Sequence, residues 1–359
     1  MREPRIVHLC RVGWPRLGGM EVAVHGLARE QQRRGLQVRV VTLDRLARDE
    51  ERLTDGVHEG VRYQRLCGWG PRRYPFAHGL REALADADVV HIHGVDGLAD
   101  QVVRRVKGPR IGLSTHGGYF HTPRQARLKQ LWLRTITRST LQRLDALWFT
   151  SEADAQRFSA AGVRGEVLGN GVDVDRFVTA RQPQAGRWAM LGRLEPHKGL
   201  ADLARWLPEL PVTLHLYGPV IDAEHLSEVQ RELTRRGAAD KLVVHGRLPE
   251  DALRAELAQC ELLVAPSRSE GFGLAVVEAM GGGIPVVVSA GTALEERIAR
   301  GGGWALDLRR DDAGSRLAAL VGADHSQVAV QAKRAAQEHS WQAVGERWQR
   351  AYEELLCSD

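Results

Sequence analysis

The sequence has few cysteines, and none of them belongs to a metal-binding or disulfide pattern. Only four occur in 359 residues, and they are far apart: Cys10, Cys67, Cys260 and Cys357. Because no CxxC pair is present, the sequence predicts neither a zinc site nor a disulfide framework. This cysteine usage is typical of a protein in the reducing cytoplasm.

Long hydrophobic runs are also missing. No uncharged apolar segment approaches the ~18 residues that a transmembrane helix needs. The first five residues lead directly into an apolar run, and we expect no signal peptide. With 43% hydrophobic and 26% charged residues, the composition is that of an ordinary globular protein, and the length allows two domains with full cores.

The first half of the chain has fewer acidic than basic residues, and the second half has more. Residues 1–180 carry 29 Lys and Arg against 20 Asp and Glu, whereas residues 181–359 carry 21 against 25. This asymmetry predicts different partners for the two halves. No RNP, zinc-finger or homeodomain pattern accompanies the basic residues, so we do not expect nucleic acid. A phosphate-bearing acceptor or an anionic membrane surface fits better.

One segment concentrates the positive charge. Residues 124–144 predict a long helix with six Arg and Lys residues and no acidic one, interleaved with Leu and Trp. Such a helix can lie in the headgroup layer of a membrane. The alternative is a core helix with a solvated basic face.

Short apolar runs alternate with amphipathic stretches, which predicts an α/β fold with mostly parallel sheets. The strands predicted in the first half are 5–12, 37–43, 61–66, 88–93, 110–115 and 146–150. The pattern stops at a stretch rich in Gly, Pro, Gln and Asp and then resumes, with strands predicted at 188–192, 212–217, 242–245, 262–265 and 284–288.

We therefore expect two Rossmann-like domains with a cleft between them. The first covers residues 1–170 and the second residues 187–340, joined by a linker at 171–186. Residues 341–359 predict a terminal helix that packs back toward the first domain.

Two carboxylates stand in a turn of the second predicted domain. The apolar run at 262–265 is followed by a glycine-bearing turn with Glu270, and a short helix then carries Glu278 about one turn inside. The backbone N–H groups of Phe272, Gly273 and Leu274 begin that helix, and a helix N-terminus binds anions. Hydroxyl-accepting carboxylates beside a phosphate site indicate a nucleotide-sugar pocket.

Two cations follow the first strand of the same domain. Arg193 is placed at the end of the strand, and we expect Lys198 to start the next helix. Both can reach a pyrophosphate, Arg as a bidentate fork and Lys as a point charge. They can neutralise a nucleotide diphosphate leaving group without a metal. The alternative is a solvated surface loop.

The histidines of the first half allow several interpretations. His91 and His93 alternate on a predicted strand and could bind a metal, but no third ligand has a suitable spacing. We expect His91 to be buried and hydrogen-bonded, while His93 ends its strand and could touch an acceptor. His116 also ends a predicted strand, and His121 follows in the same loop.

The motif series resembles the retaining glycosyltransferases of family four, which have the GT-B fold. The motifs are Gly18-Gly19, Asn170-Gly171-Val172-Asp173, Gly192-Arg193 with Lys198-Gly199, and Glu270 with Glu278. The match runs from residue 5 to the terminal helix. Further strings in the first half, at 73–75, 88–94 and 114–122, resemble the mannosyltransferases of xanthan and acetan assembly. Those enzymes transfer mannose from GDP-mannose to polyprenyl-diphosphate-linked cellobiose.

The resemblance implies a role for each matching residue. Glu270 should bind hydroxyls of the donor sugar and Glu278 those of the ribose, while Arg193 and Lys198 hold the diphosphate together with N–H groups of Gly273 and Leu274. In the first domain, Gly18 and Gly19 should form a loop near the phosphate and the acceptor, and His116 should face the reacting sugar. Arg247 follows a strand at the position where the family contacts the nucleobase.

The resemblance implies an enzyme that transfers a hexose, α-mannose from GDP-mannose, to a lipid-linked glycan in exopolysaccharide assembly. It should need no cofactor or metal and should work in the cytoplasm at the inner membrane surface. UDP-glucose or UDP-N-acetylglucosamine is an alternative donor. Other classes also remain open: a nucleotide-sugar 2-epimerase of the same fold, and a catalytically silent binding module.

Overall fold

The computed structural model describes residues 3–16, 18–47, 49–72, 74–117, 137–160 and 162–357. The chain divides into two compact units. The first consists of Met1–Gly171 with Trp341–Asp359, and the second of Val172–Ser340. Each unit has its own sheet and its own hydrophobic core.

The first unit is built on a mostly parallel sheet. In its described residues the strands are β1 Arg5–Leu9, β2 Gln37–Leu43, β3 Gly56–His58, β4 Val61–Leu66, β5 Gly68–Trp69, β6 Phe76–Ala77, β7 Val89–His93, β8 Arg110–Ser114, β9 Ala146–Phe149 and β10 Glu166–Val167. Eight of them form one sheet in the order β10-β9-β8-β7-β1-β2-β4-β3, with only the β3–β4 pair antiparallel. Every residue of β7 is buried, as expected of a central parallel strand.

Two helices of the first unit begin at a polar residue whose side chain accepts a hydrogen bond from a backbone N–H group of the first turn. Asp96 accepts a hydrogen bond from the N–H of Leu98, and Ser151 accepts one from Asp154. The described helices before residue 172 are α1 Gly19–Arg33, α2 Leu80–Leu84, α3 Gly97–Arg105, α4 Arg138–Leu141 and α5 Glu152–Ser159. Most of the basic helix predicted at 124–144 lies outside the described residues.

The second unit has a six-stranded parallel sheet. Its strands are β11 Gln184–Leu191, β12 Thr213–Tyr217, β13 Leu242–Gly246, β14 Cys260–Ala265, β15 Val286–Ser289 and β16 Gly303–Leu306. They lie in the order β13-β12-β11-β14-β15-β16. After β11, the chain adds β12 and β13 on one side of that strand and then β14, β15 and β16 on its other side. This change of direction makes β11 and β14 the switch point of the sheet.

Seven α-helices are described in the second unit: α6 Leu200–Ala204, α7 Ala223–Arg235, α8 Glu250–Ala258, α9 Leu274–Gly281, α10 Ala293–Arg297, α11 Ala313–Ala318 and α12 Ser326–Gln337. The segment before β11 is also part of this unit. Val174 and Phe177 are buried in its core, and the guanidinium of Arg181 donates to the carbonyl oxygen of Cys260 over 2.6 Å.

The last helix, α13 Trp341–Cys357, belongs to the first unit. Its residues Trp348 and Tyr352 are buried against Trp148 of β9 and Leu27 of α1. The ring of Trp341 lies so close to Gly26 of α1 that a Cβ there would come within 2.1 Å of it. The absence of a side chain at Gly26 thus allows α13 to dock on α1.

The predicted class, two Rossmann-like α/β domains with parallel sheets, is confirmed. Each predicted strand is present with its ends shifted by at most a few residues. Judged by length and hydropathy, none of the helices in the described ranges could cross a membrane.

Candidate functional site

The loops after β11 and β14 carry the predicted donor-binding residues of the second unit. Because these parallel strands are neighbours, their carboxyl ends lie side by side. The loop after β11 contains Arg193 and Lys198, and the loop after β14 contains Glu270. Ligands of such α/β sheets bind at this edge, at the switch point.

Lys198 and Glu270 form an ion pair between these two loops. The Nζ atom of Lys198 donates a hydrogen bond of 2.6 Å to Oε2 of Glu270, and the side chains are 18% and 22% exposed. Gly199 allows this approach, since its φ is +77° and a Cβ there would lie 2.0 Å from the carbonyl oxygen of Pro266. The fold therefore joins a cation and a carboxylate at an edge where both retain access to solvent.

Arg193 is more exposed than Lys198. Its guanidinium lies 3.2 Å from Glu195, and its side chain is 54% exposed. His197 contacts the other oxygen of the same carboxylate at 3.2 Å. Burial is the main cause that lowers the pKa of His197, and the charge of Lys198 adds to it. One carboxylate thus orients Arg193 while leaving more than half of its side chain open to solvent.

Glu278 is buried and held by an arginine that the sequence reasoning missed. Nη1 of Arg176 donates a hydrogen bond of 2.8 Å to Oε2 of Glu278, and its other nitrogens donate to Glu250 over 2.7 and 2.9 Å. Burial raises the pKa of Glu278, and Arg176 opposes this rise. Arg176 lies 102 residues before Glu278, in the stretch interpreted as a linker, and no local pattern links the two.

The start of α9 presents backbone N–H groups without a side-chain cap. Gly273 precedes the helix with φ of +91°, and a Cβ there would lie 2.3 Å from Leu294. Phe272 is buried, with the guanidinium of Arg297 4.4 Å from the centre of its ring. The N–H groups of Leu274 and Ala275 come before the first hydrogen bonds of the helix, which Val276 and Val277 donate to Gly273, and form a positively polarised end suited to an anion.

Arg247 is exposed directly after β13. Next to it in sequence, His245 stacks on Tyr217 with ring centres 4.6 Å apart. Nδ1 of His215 lies 2.9 Å from Nε2 of His245, and burial lowers the pKa of His215 to about 4. Arg247 therefore follows an aromatic stack at the carboxyl ends of β12 and β13.

In the first unit, His91 is buried and fully hydrogen-bonded, which confirms the prediction. Its Nδ1 lies 2.6 Å from the hydroxyl of Tyr352 and its Nε2 2.7 Å from that of Ser114. Burial lowers the pKa of His91 well below its usual value. The α13 helix thus supplies one of the two partners of this β7 side chain.

A third histidine does lie beside His91 and His93, contrary to the expectation from spacing. His8 of β1 is opposite His91 in the parallel pairing, and ligand atoms of all three lie within 4.8 Å of one another. The sequence could not show this, because it depends on which strand pairs with β7. Every ring nitrogen of the three is in hydrogen-bonding contact with a neighbour, so the group is organised as a hydrogen-bond network.

His116 stands in the turn after β8. Its φ of +47° is unusual for a residue with a side chain. Asp154 stabilises the turn, since it accepts hydrogen bonds from the hydroxyl of Thr115 and from the N–H of Gly117. Nε2 of His116 lies 2.9 Å from Nδ1 of His93, and burial lowers the pKa of His116 to about 4. His121, the other candidate in this loop, lies outside the described residues.

Gly18 and Gly19 lie at the start of α1, which follows the central strand β1. Gly18 is extended and caps the helix without a side chain, and Gly19 is the first helical residue. β1 stands between β7 and β2, where the order of this sheet changes direction. The two glycines therefore follow a strand at the switch point of the first sheet.

Two family models match adjoining parts of the chain. The model described as Glycosyltransferase Family 4 matches residues 17–176, and the model described as Glycosyl transferases group 1 matches residues 172–338. Together they span both units. The boundary between the two matches falls near the division observed in the structure.

Similar proteins agree with this assignment. The GDP-mannose:cellobiosyl-diphosphopolyprenol alpha-mannosyltransferase of Xanthomonas oryzae pv. oryzae (strain PXO99A) is 35% identical over 79% of this chain and 78% of its own. A protein of the same description from Komagataeibacter xylinus is 31% identical over 98% and 93%. The fold matches sucrose-phosphate synthase from Thermosynechococcus elongatus, with a TM-score of 0.78, 17% identity and full coverage of both chains. With the carboxylate and cation motifs assembled at the switch point of its second sheet, this chain belongs to glycosyltransferase family 4 and has the GT-B fold.

Proposed function

We propose that this glycosyltransferase transfers α-mannose from GDP-mannose to a lipid-diphosphate-linked oligosaccharide, with retention of configuration at the anomeric carbon. The activities by which the two relatives are named support this donor and acceptor class. The observation that carries the proposal is the contact between Lys198 and Glu270. It places a cation that can bind a diphosphate next to a carboxylate that can accept hydrogen bonds from sugar hydroxyls. Both relatives are transferases, and neither supports an epimerase.

In this proposal the second unit binds the donor. Lys198 and Arg193 neutralise the diphosphate, and the free N–H groups of Gly273 and Leu274 bind one of its oxygens. The donor sugar hydroxyls donate to Glu270. These residues come from the loops after β11 and β14 and from the start of α9, which supports a shared ligand.

The remaining donor contacts are to the ribose and the nucleobase. Glu278 accepts hydrogen bonds from the ribose hydroxyls while Arg176 holds its carboxylate in one orientation. Arg247 lies beside the nucleobase, near the aromatic stack at the ends of β12 and β13. In the first unit, His116 contacts the reacting sugar, and Gly18 and Gly19 allow close approach of the phosphate and the acceptor.

The proposed chemistry forms one bond and breaks one. The acceptor oxygen bonds to the anomeric carbon while the bond from that carbon to the β-phosphate oxygen breaks, and the acceptor proton passes to the departing phosphate. Arg193 and Lys198 stabilise the charge that develops on GDP. This front-face route has no covalent enzyme intermediate, so detection of a mannosyl-enzyme adduct by mass spectrometry would overturn it.

We also propose that residues 124–144 bind the membrane surface that carries the lipid-linked acceptor. The support is the run of six cations without an acid, together with the excess of Lys and Arg in the first half. Sedimentation with vesicles should show binding to phosphatidylglycerol-containing bilayers and none to phosphatidylcholine alone. Replacement of Arg127, Lys129 and Arg134 by Gln should abolish it, and equal binding of this variant would contradict the proposal.

Two measurements test the donor and the reaction. In a thermal-shift screen, GDP and GDP-mannose should stabilise the protein, because a ligand at 100 times its Kd adds about 2.7 kcal/mol to the free energy of unfolding. Stabilisation by UDP sugars alone would refute the mannosyl assignment. Incubation with GDP-mannose and cellobiosyl-diphosphopolyprenol should give an α-mannosylated lipid, whereas incubation with donor alone should give no epimer.

A further inference from the structure

A line of four side chains runs from α1 to His116 in the first unit. Oε1 of Gln31 lies 2.7 Å from Nε2 of His8, whose Nδ1 lies 2.8 Å from Nε2 of His93. Nδ1 of His93 in turn lies 2.9 Å from Nε2 of His116. Gln31, His8 and His93 are buried, whereas His116 retains some exposure.

The geometry gives this line one direction. The carbonyl oxygen of Gln31 can only accept, so His8 must donate from Nε2. Burial lowers the pKa of His8 to about 4 and that of His93 well below its usual value, so each neutral ring has one N–H and one acceptor nitrogen. Nδ1 of His8 therefore accepts from Nε2 of His93.

The direction continues to His116 at the partly exposed end of the line. Because His93 uses its single proton on His8, its Nδ1 must accept, and the donor is Nε2–H of His116. The free nitrogen of His116 is then Nδ1 with a lone pair. If the Gln31 amide were reversed, every step would reverse, and Nδ1 of His116 would carry the proton. In the structure the Gln31 atom that contacts His8 is the carbonyl oxygen Oε1, so Gln31 is the acceptor at this end of the line.

We propose that Gln31, acting through His8 and His93, holds His116 as the Nε2–H tautomer, so that its Nδ1 accepts a hydrogen bond from a hydroxyl of the transferred sugar. Gln31, His8 and His93 are positioning residues, since they act through His116. The proposal rests on the sugar-facing role proposed for His116. It also sets the class of ligand atom: a hydroxyl donor fits this nitrogen, and a phosphate oxygen does not.

The tautomer can be measured on the full-length enzyme without any ligand. Long-range 1H–15N spectra distinguish the two neutral tautomers of histidine, and the His116→Ala variant assigns the signals of His116. We expect Nε2–H in the wild type. In Gln31→Met, which removes the acceptor with little change in volume, His116 should populate both tautomers. His8→Phe, which breaks the line one step later, should have the same effect.

The matched control is Gln32→Met, since Gln32 donates to the carbonyl oxygens of Val38 and Gly60 and does not contact the histidines. It should leave the tautomer unchanged. The proposal is overturned by Nδ1–H on His116 in the wild type, or by an unchanged tautomer in both Gln31→Met and His8→Phe when circular dichroism shows these variants to be folded.

Kinetics separate this inference from the proposed function. In Gln31→Met, kcat for mannosyl transfer should fall roughly tenfold with little change in KM for the donor, as expected when an oriented contact in the transition state is lost. A shifted tautomer with unchanged kcat would overturn the functional part of the inference. Full activity of His116→Ala would instead refute the sugar-facing role of His116, whatever the tautomer.

Discussion

Nζ of Lys198 donates to Oε2 of Glu270 over 2.6 Å, although the two residues are 72 positions apart. Each side chain is partly exposed, so the pair is accessible to a ligand. In the proposed complex the diphosphate of the donor binds Lys198, and a hydroxyl of the donor sugar donates a hydrogen bond to Glu270. The pair thus keeps both groups oriented and charge-balanced before the donor arrives.

Replacement of Lys198 by Ala should reduce kcat/KM by about 10²- to 10³-fold, because one preorganised donor to the leaving group is lost. The melting temperature should change little, since a partly exposed ion pair contributes about 1 kcal/mol or less. Transfer kinetics and a thermal melt check both parts. The control is Arg235→Ala, which removes an exposed cation paired with Glu232 and should transfer normally. Near-normal activity of the Lys198 variant would contradict the diphosphate role.

The pair of Arg176 and Glu278 should behave differently, because Glu278 is buried. Arg176→Met leaves a buried carboxylate without its main partner and should lower the free energy of unfolding by about 2 kcal/mol. In a double-mutant cycle, adding Glu278→Gln should recover part of that loss. Urea denaturation of the four proteins measures the coupling, and additive effects would show that the contact has little energetic weight.

Stability should fall as the pH is lowered from about 6.5 toward 4. Histidines of the unfolded chain titrate near 6.5, whereas burial lowers the pKa of His8 and His116 to about 4. Protons therefore bind the unfolded chain first, and each such histidine should cost about 1 kcal/mol between pH 7.5 and 5.5. The stabilisation is fully present above pH 6.5.

Asp96 acts in the opposite direction, because burial raises its pKa to about 6. The histidine contribution is therefore best isolated as a difference between wild type and His8→Phe. Denaturation at the two pH values should give a smaller pH dependence for the variant. An equal dependence would mean that His8 is not the titrating group.

Removal of divalent metal should not change the rate of transfer. Glu270 is paired with Lys198 and Glu278 with Arg176, so both carboxylates of the donor motif are already neutralised by cations. Assays with and without EDTA, after passage over a chelating resin, check this. A rate that falls with EDTA and returns with Mg²⁺ or Mn²⁺ would contradict the assignment of charge neutralisation to Arg193 and Lys198.

The sequence predicted the βα framework well because parallel strands are short apolar runs, and their pattern is local. Strands β2 and β4 have the predicted bounds. Short edge elements such as β3, β10 and the β5–β6 pair were not predicted, since two or three residues have too little pattern to detect.

The parts of the candidate site that lie in contiguous motifs could be predicted from the sequence. The parts that depend on the order of the strands in the sheet could not. The loops with Arg193, Lys198 and Glu270 could be located by their position after apolar runs. The contact of His8 with His93 could not, because it requires that β1 and β7 be neighbours. The same holds for Arg176, which reaches Glu278 across 102 positions.

The return of α13 to the first unit has a consequence for synthesis on the ribosome. The second unit is continuous in sequence, so it can fold as soon as residue 340 has left the exit tunnel. The first unit must wait longer, because Trp348 and Tyr352, which pack on Trp148 and His91, are translated after the entire second unit. During translation the second unit can therefore complete its fold before the first unit does. Until α13 is synthesised, the first sheet exposes an apolar face that chaperones can bind.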